Sequence, residues 1–192
     1  MKKNSKSKLL IEGDMCFGIF QDRLNRFIAH IEIDGNTEVV HVANTGRMKE
    51  LLNNGAKVIC RRVTDKPERK TKFDLVMVEK YGQWVLIDSK IPNIIIEKAL
   101  LQNLLPELGT YEEVKREVTY GNSRIDLAGI NGNEVTLIEC KCATLVKDDG
   151  TATFPDAPTS RGTKHVEELT HAVTNGYSSI ISALSPSLDT LC

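Results

Sequence analysis

The chain has 192 residues, 41% hydrophobic and 27% charged, and its 25 Lys and Arg against 26 Asp and Glu leave a net charge of −1. That balance suits an ordinary globular protein of one domain or two small ones and excludes a globally basic nucleic-acid binder, so any grip on phosphates must come from local cationic patches. No apolar run approaches the roughly 18 residues of a membrane span, and Met1 to Lys8 lacks the apolar core of a secretory signal, so no membrane partner and a cytoplasmic location are expected.

Residues 9 to about 88 read as short strands separated by turn signals. Phe27 to Ile33 and Glu38 to Val42 flank Asp34-Gly35-Asn36, and Phe73 to Glu79 and Gln83 to Asp88 flank Tyr81-Gly82. Between these pairs, Arg47 to Leu52 predicts a short helix ended by Asn53-Asn54-Gly55, and Ala56 to Cys60 resumes as strand. Five or six strands with one short helix fit an OB-fold, a partly open barrel whose face and loops hold single strands of nucleic acid; an SH3-like barrel is the alternative. Residues 1–88 are therefore read as an OB-fold-like nucleic-acid-binding domain. Its cations cluster. Arg23 and Arg26 bracket Leu24-Asn25, and Arg61, Arg62, Lys66, Arg69, Lys70 and Lys72 set six cations against Asp65 and Glu68. A solvated loop has the same composition, but a chain of near-zero net charge that concentrates cations here can neutralise several phosphates. Phe27, Phe73 and Trp84 are read as core rather than as stacking platforms.

Asn93 is a fair N-cap for a helix from Ile94 to about Leu105, stopped by Pro106 and Gly109. At spacings of three, four and seven, Glu97 lies among Ile94, Leu100, Leu101 and Leu104. A carboxylate there is costly unless paired or bound to metal. Tyr111 to Tyr120 reads as a strand whose Glu117 either joins a neighbouring site or stays at the surface. The next stretch, Ser123 to Lys141, is two β-branched runs around Asn131-Gly132, a hairpin signal. With those two residues as the loop, Ile130 faces Asn133 and Asp126 faces Leu137. Side-chain alternation puts Leu137, Glu139 and Lys141 on one face, with Glu139 the diagonal neighbour of Asp126 at about 7–8 Å. Two carboxylates beside an ammonium suit a hard divalent cation, Mg²⁺ or Mn²⁺, with Lys141 orienting water or stabilising charge on a phosphate. The residues resemble the PD-(D/E)xK nuclease motif, which implies metal ligation by Asp126 and Glu139, completion of the site by Glu97 from the first helix, and a place for Lys141 beside the attacked phosphate. Cys140 and Cys142 fall on the opposite face with Ile138 and read as small core residues, since none of the five cysteines forms a Cys-x₂-Cys pair.

Beyond the hairpin, Thr159 or Ser160 caps a helix through about Asn175, with Gly176 in the stop position. Val166, Leu169 and Val173 are its expected buried stripe. Arg161, Lys164 and His165 on another face, near the amino end, are expected to attract a phosphate. The tail from Tyr177 to Cys192 carries too many serines, and Pro186, for a central strand.

Several stretches resemble the sugar fermentation stimulation protein A family over nearly the whole chain: Arg23-Leu-Asn-Arg-Phe27, Asn44-Thr-Gly-Arg47 with Glu50-Leu-Leu52, Lys66-Pro-Glu-Arg-Lys-Thr71, Pro92-Asn93, Ser123-Arg-Ile-Asp126, Glu139-Cys-Lys141, and Phe154-Pro-Asp-Ala157 leading to Arg161-Gly162 and Lys164-His165. The resemblance implies an OB-fold amino half, a PD-(D/E)xK-like α/β carboxyl half (residues 89–192), DNA binding, and a role in regulating sugar metabolism genes. The family's chains run on past the last helix into an apolar strand and further residues, so the carboxyl half is expected to be truncated. The expected function is DNA binding with Mg²⁺-dependent phosphodiester hydrolysis at Asp126, Glu139, Glu97 and Lys141. Arg23, Arg26, Arg47, Arg61, Arg62, Lys66, Arg69, Lys70, Lys72, Arg161, Lys164 and His165 are expected to hold the nucleic acid. The alternative is a non-catalytic regulator; strand form and homo-oligomerisation are open.

Overall fold

The computed structural model describes residues 11–64, 68–146, 152–153 and 160–184. They form two compact units, one centred on Leu10–Lys90 and one on Ile91–Lys141 with Asp156–Leu184. Among the described residues no helix is long and apolar enough to cross a membrane.

The first unit is built from β1 (Met15–Asn25), β2 (Ile28–Ile33), β3 (Asn36–Val42), β4 (Lys57–Arg62), β5 (Phe73–Lys80) and β6 (Gln83–Leu86). Asp34-Gly35 and Tyr81-Gly82 close the β2–β3 and β5–β6 hairpins with positive φ at both central residues, the turn whose twist matches that of paired strands. The strand order is β3-β2-β1-β4-β5-β6, and a parallel β3–β5 pairing closes five of the strands into the expected OB-fold barrel. Its interior holds Phe20, Ile31, Val40, Val58, Leu75 and Ile87, each at most 2% exposed. Closure needs β1 to bend, and β1 pairs β4 up to Ile19 and β2 from Ile19 onward, with register shifts after Phe20 and Arg23. Gly18 sits at that handover because a Cβ there would meet Ile31 Cγ2 at 2.6 Å and Glu32 O at 2.9 Å. The helix expected at Arg47 to Leu52 is instead a single turn, with Met48 at φ 47° and both Leu51 and Leu52 donating to its carbonyl. Met48 and Leu51 are each 3% exposed, and their burial against the barrel overrides local helix propensity.

The second unit contains α1 (Ile91–Leu101), β7 (Glu113–Tyr120), β8 (Ser123–Asn131), β9 (Glu134–Cys142), α2 (Ser160–Thr174) and β12 (Ser178–Leu184), while the short pair of β10 (Leu145–Val146) and β11 (Ala152–Thr153), which lies between β9 and α2 in the chain, groups with the first unit. The sheet order is β12-β9-β8-β7. Ile96 and Leu100 of α1 pack with Leu127, Ile138 and Cys140, while Leu169 and Ala172 of α2 pack with Ala128 and Leu137, an α/β arrangement in which β8 and β9 contribute to both cores. α1 begins three residues before the expected start, because Pro92 fits a first turn that needs no backbone donor. It ends at Leu101 through the Leu104 N–H to Ala99 O and Asn103 N–H to Leu100 O bonds, with Asn103 at φ 52°. Gly176 closes α2 in the same way, as its position predicts.

Ser178–Leu184, judged too serine-rich for a central strand, is β12 and takes the sheet edge beside β9, where Ile180 and Leu184 pack on the α1-side core. One expectation is corrected. The β8–β9 loop is Gly132-Asn133, since Asn131 pairs with Glu134. Asn131 is held in the strand by its side chain, which donates to Thr110 O at 2.6 Å and accepts from the Glu112 N–H at 2.9 Å. The shift is two residues: Ala128 rather than Asp126 opposes Leu137.

Asp74 of β5, 8% exposed, is the charged hub of the barrel. It accepts from Arg69, from Arg61 Nη2 at 3.3 Å and from His41 Nδ1 at 2.9 Å. Burial alone would raise its pKa, but the hydrogen bonds from Arg69, His41 and Arg61 prevail and hold it at about 2 against an ordinary 3.8. Because the folded value is the depressed one, this stabilisation is complete above the unfolded pKa and is lost as pH falls toward the folded one, on the order of 2 kcal/mol in all. The urea-unfolding free-energy gap between the wild type and Asp74→Asn is expected to narrow by about 2 kcal/mol between about pH 6 and about pH 2. A gap independent of pH would contradict the role given to the Asp74 charge.

Candidate functional site

Asp126 on β8 and Glu139 and Lys141 on β9 lie just beyond the last paired residues of the hairpin, Leu127↔Ile138, with Asp126 reaching Asn93 of α1 and Glu139 reaching His165 of α2. The Asp126 carboxylate is fixed from two sides. Oδ1 accepts from Asn93 Nδ2 of α1 at 2.9 Å, and Oδ2 accepts from the Cys140 N–H at 2.9 Å. On the other flank, β7 pairs β8 at Arg116↔Leu127 and Val118↔Ile125 but not between, where Glu117 takes φ 55° opposite Asp126. A left-handed, non-glycine residue within a strand costs on the order of 1–2 kcal/mol. The Glu117 carboxylate pairs with Arg124 at 3.4 Å on the surface and does not join the site.

Glu139 is 2% exposed. Its Oε1 accepts from His165 Nδ1 at 2.5 Å and from Lys141 Nζ, while Oε2 is buried with no hydrogen-bond partner. His165, itself 6% exposed, reaches Glu139 because the buried stripe of α2 runs His165–Leu169–Ala172. The expected stripe through Val166 and Val173 is corrected: those side chains are 50% and 55% exposed. A buried carboxylate costs more to leave unpartnered than two valines cost to expose, and this sets the rotation of the helix. His165 is thus a partner of Glu139 rather than a surface phosphate contact. Lys164 donates to Asn122 O at 3.0 Å and holds the β7–β8 turn; the Arg161 side chain lies outside the described residues.

Glu97 is not gathered with Asp126 and Glu139. Its carboxylate pairs with Arg116 of β7, which answers the cost of its place on the apolar face of α1. Among the described residues no three His, Cys, Asp or Glu side chains converge on a point that could hold an ion. Burial, followed by the neighbouring Asp126 and Glu139 charges, pushes the Cys140 thiol up to about 12, and burial with the Asp88 charge does the same for Cys142, so both are inert packing groups as expected.

The barrel cations divide sharply. Arg23 donates to backbone carbonyls, Arg61 to Asp74 and Asp88, and Arg69 to Asp74. Arg62 pairs with Asp14 at 3.2 Å and lies over the Phe73 ring. No carboxylate among the described residues pairs with Arg26, Arg47, Lys70 or Lys72, and Arg26 lies over the Phe27 ring at 5.7 Å. Lys66 lies outside the described residues. The residues missed from sequence are Asn93, read only as a cap, and His165 as a partner of Glu139; a stripe counted back from Ala172 through Leu169 would have found the latter.

A closed five-strand OB barrel followed by an α/β unit with Asp, Glu and Lys on adjacent strands of one hairpin defines a two-part protein with a carboxylate–lysine site. Residues 22–87 match the SfsA N-terminal OB domain and residues 90–189 the Sugar fermentation stimulation protein RE domain. The sugar fermentation stimulation protein homolog of Alkaliphilus metalliredigens is 55% identical over 167 residues, covering 86% of this chain and 72% of the relative. That of Acetivibrio thermocellus is 48% identical over 167 residues, covering 86% and 71%. The solved structure of Pyrococcus furiosus SfsA in complex with Ca²⁺ superposes with a TM-score of 0.81 at 30% identity, covering 92% of this chain and 75% of that one. The chain belongs to the sugar fermentation stimulation protein family.

Removing the imidazole leaves a buried carboxylate with Lys141 alone, so His165→Ala is expected to lower the unfolding free energy in urea by about 1–3 kcal/mol. The adjacent Lys164→Ala, which loses a surface contact, is expected to cost no more than about 0.5 kcal/mol. Equal effects would contradict the burial of His165 against Glu139.

Proposed function

We propose that the chain binds DNA and hydrolyses phosphodiester bonds with a divalent cation held by Asp126 and Glu139. The observation that carries this reading is Glu139 Oε2, a carboxylate oxygen buried without a hydrogen bond on the strand next to the one that carries Asp126. Native structures rarely leave such an atom unsatisfied, and a cation is the ligand an all-oxygen pair would take. Hard cations such as Mg²⁺ and Mn²⁺ need only one or two protein carboxylates, with water completing the shell. The Ca²⁺ in the solved relative supports a divalent ion in this fold.

His165 orients Glu139 and fixes which oxygen stays open, and Asn93 does the same for Asp126. Lys141, whose side chain is 38% exposed, carries the site's ammonium to where an attacked phosphate would lie and stabilises its developing charge. When bound, the cation supplies Lewis-acid polarisation of the phosphoryl oxygen and a more acidic water. Arg116 holds Glu97, whose role is support rather than ligation. On the barrel, Arg26, Arg47, Lys70 and Lys72 are assigned to the DNA backbone, where each neutralised phosphate adds to the salt dependence of binding. The second reading, a binding module without turnover that regulates sugar metabolism genes, draws on the absence of a third converging acid among the described residues.

Purified protein incubated with single- or double-stranded DNA and Mg²⁺ or Mn²⁺ is expected to cut it, with loss of at least about 100-fold in Asp126→Ala and in Lys141→Ala. Cleavage that survives both changes rules out this site, and salt-dependent gel shifts without cleavage select the binding module.

A further inference from the structure

The barrel carries a pocket lined by cations, made from residues of the barrel alone. This open groove offers about 330 Å³ between the β1–β2 turn and the loop after β3, and it is lined by Arg23, Arg26, Arg47 and Lys49 with Thr45 and Leu52, without a single acid. Arg23 builds the frame. Its Nη1 donates to Gly46 O at 2.6 Å and Arg47 O at 3.1 Å, its Nη2 to Arg26 O at 2.5 Å and Asn44 O at 2.6 Å, and its Nε to Asn25 O at 3.1 Å. One guanidinium thus ties both loops together by carbonyl oxygens that would otherwise repel an anion. Asn44 braces the same frame, with Oδ1 accepting from the Gly46 N–H at 2.9 Å and Nδ2 donating to Ile87 O at 2.9 Å. Asn25 Oδ1 fixes the opposite loop through the Phe27 N–H at 2.8 Å.

The backbone is satisfied, and the side chains of Arg26, Arg47 and Lys49 are left to the cavity, with no carboxylate partner among the described residues. Three exposed cations on a hydrogen-bonded frame call for more negative charge than one phosphodiester brings. A phosphomonoester carries about −1.5 to −2 near pH 7 with a second pKa near 6, and two guanidinium forks with an ammonium match its three terminal oxygens. The volume lies at the small end of small-molecule sites, room for a phosphate with a nucleoside-sized body against Leu52 and Thr45 but not for a duplex. We propose that this cavity binds a phosphomonoester of nucleotide size through Arg26, Arg47 and Lys49, with Arg23 as positioning residue. The phosphomonoester is either the terminal phosphate of a nucleic-acid strand or a free small phosphate ester. The proposal shares Arg26 and Arg47 with the DNA-binding reading but uses none of Asp126, Glu139 or Lys141.

Isothermal titration of the full chain with dTMP, thymidine and a thymidine oligonucleotide bearing either a 5′-phosphate or a 5′-hydroxyl tests it. dTMP is expected to bind and thymidine not to, with affinity rising from about pH 5 to about pH 7 as the second phosphate proton leaves. Arg26→Gln and Arg47→Gln are each expected to weaken dTMP at least about 10-fold with melting temperatures unchanged, a charged hydrogen bond being worth about that much. Asp126→Asn, which removes cleavage under the reading above, is expected to leave dTMP affinity intact. A 5′-phosphorylated strand that binds at least about 10-fold tighter than its 5′-hydroxyl counterpart identifies a strand end as the ligand. Equal strand affinities together with dTMP binding identify a free phosphate ester. Failure of DNA binding with dTMP binding intact sinks the nucleic-acid reading alone. No heat with dTMP at millimolar concentration, or binding indifferent to both arginine changes, overturns the proposal.

Discussion

A carboxylate buried to 2% exposure between a sheet and a helix is the constraint that organises the second unit. Glu139 cannot be there without partners, since a buried polar group left without its hydrogen bond costs about 1–3 kcal/mol. The partners dictate the surroundings. His165 must lie on the inner face of α2, so that helix turns two valines outward, and Lys141 must follow on the same face of β9. Asp126 is pinned alongside by a backbone N–H from β9 and a carboxamide from α1, so elements distant in sequence meet at one pair of acids. The structure holds this polar cluster in the middle of its packing layers, where apolar side chains would have been simpler to bury.

Much of this was legible in the sequence, and the parts that were not have physical causes. Alternation along β9 gave the shared face of Glu139 and Lys141, but not the place of Asp126, because alternation along β8 breaks there: Ile125 packs with α2 and Leu127 with α1. It did not give the register itself, which Asn131 sets through bonds to Thr110 and Glu112, contacts no hairpin rule contains. The face of α2 was misread because valines normally define a core stripe; here a long-range demand from Glu139 outweighs them. The tail was read only as unfit for a central strand, and at the sheet edge, with Ile180 and Leu184 turned inward, its serines are tolerated.

The cations of the barrel show a different limit. Composition marks Arg23, Arg26, Arg47, Arg61, Arg62, Arg69, Lys70 and Lys72 as one population, yet the fold gives them separate tasks. Arg61 and Arg69 neutralise Asp74, Arg23 is spent on loop carbonyls, and Arg62 pairs with Asp14, so that only the remainder lack a carboxylate partner among the described residues. No pattern of charges along the chain separates a structural arginine from a binding one, since the difference lies in which acceptors the folded loops present.

The central claim is that Glu139 and Asp126 hold a divalent cation, and titration of the full chain with Mn²⁺, followed by the paramagnetic resonance of the free ion, tests it most directly. The account predicts one saturable site whose affinity falls at least about 10-fold in Glu139→Gln and in Asp126→Asn, the usual scale for a lost ligand or its support, and is unchanged in Arg47→Gln. Mn²⁺ binding that is absent in the wild type, or indifferent to both carboxylate changes, would contradict it.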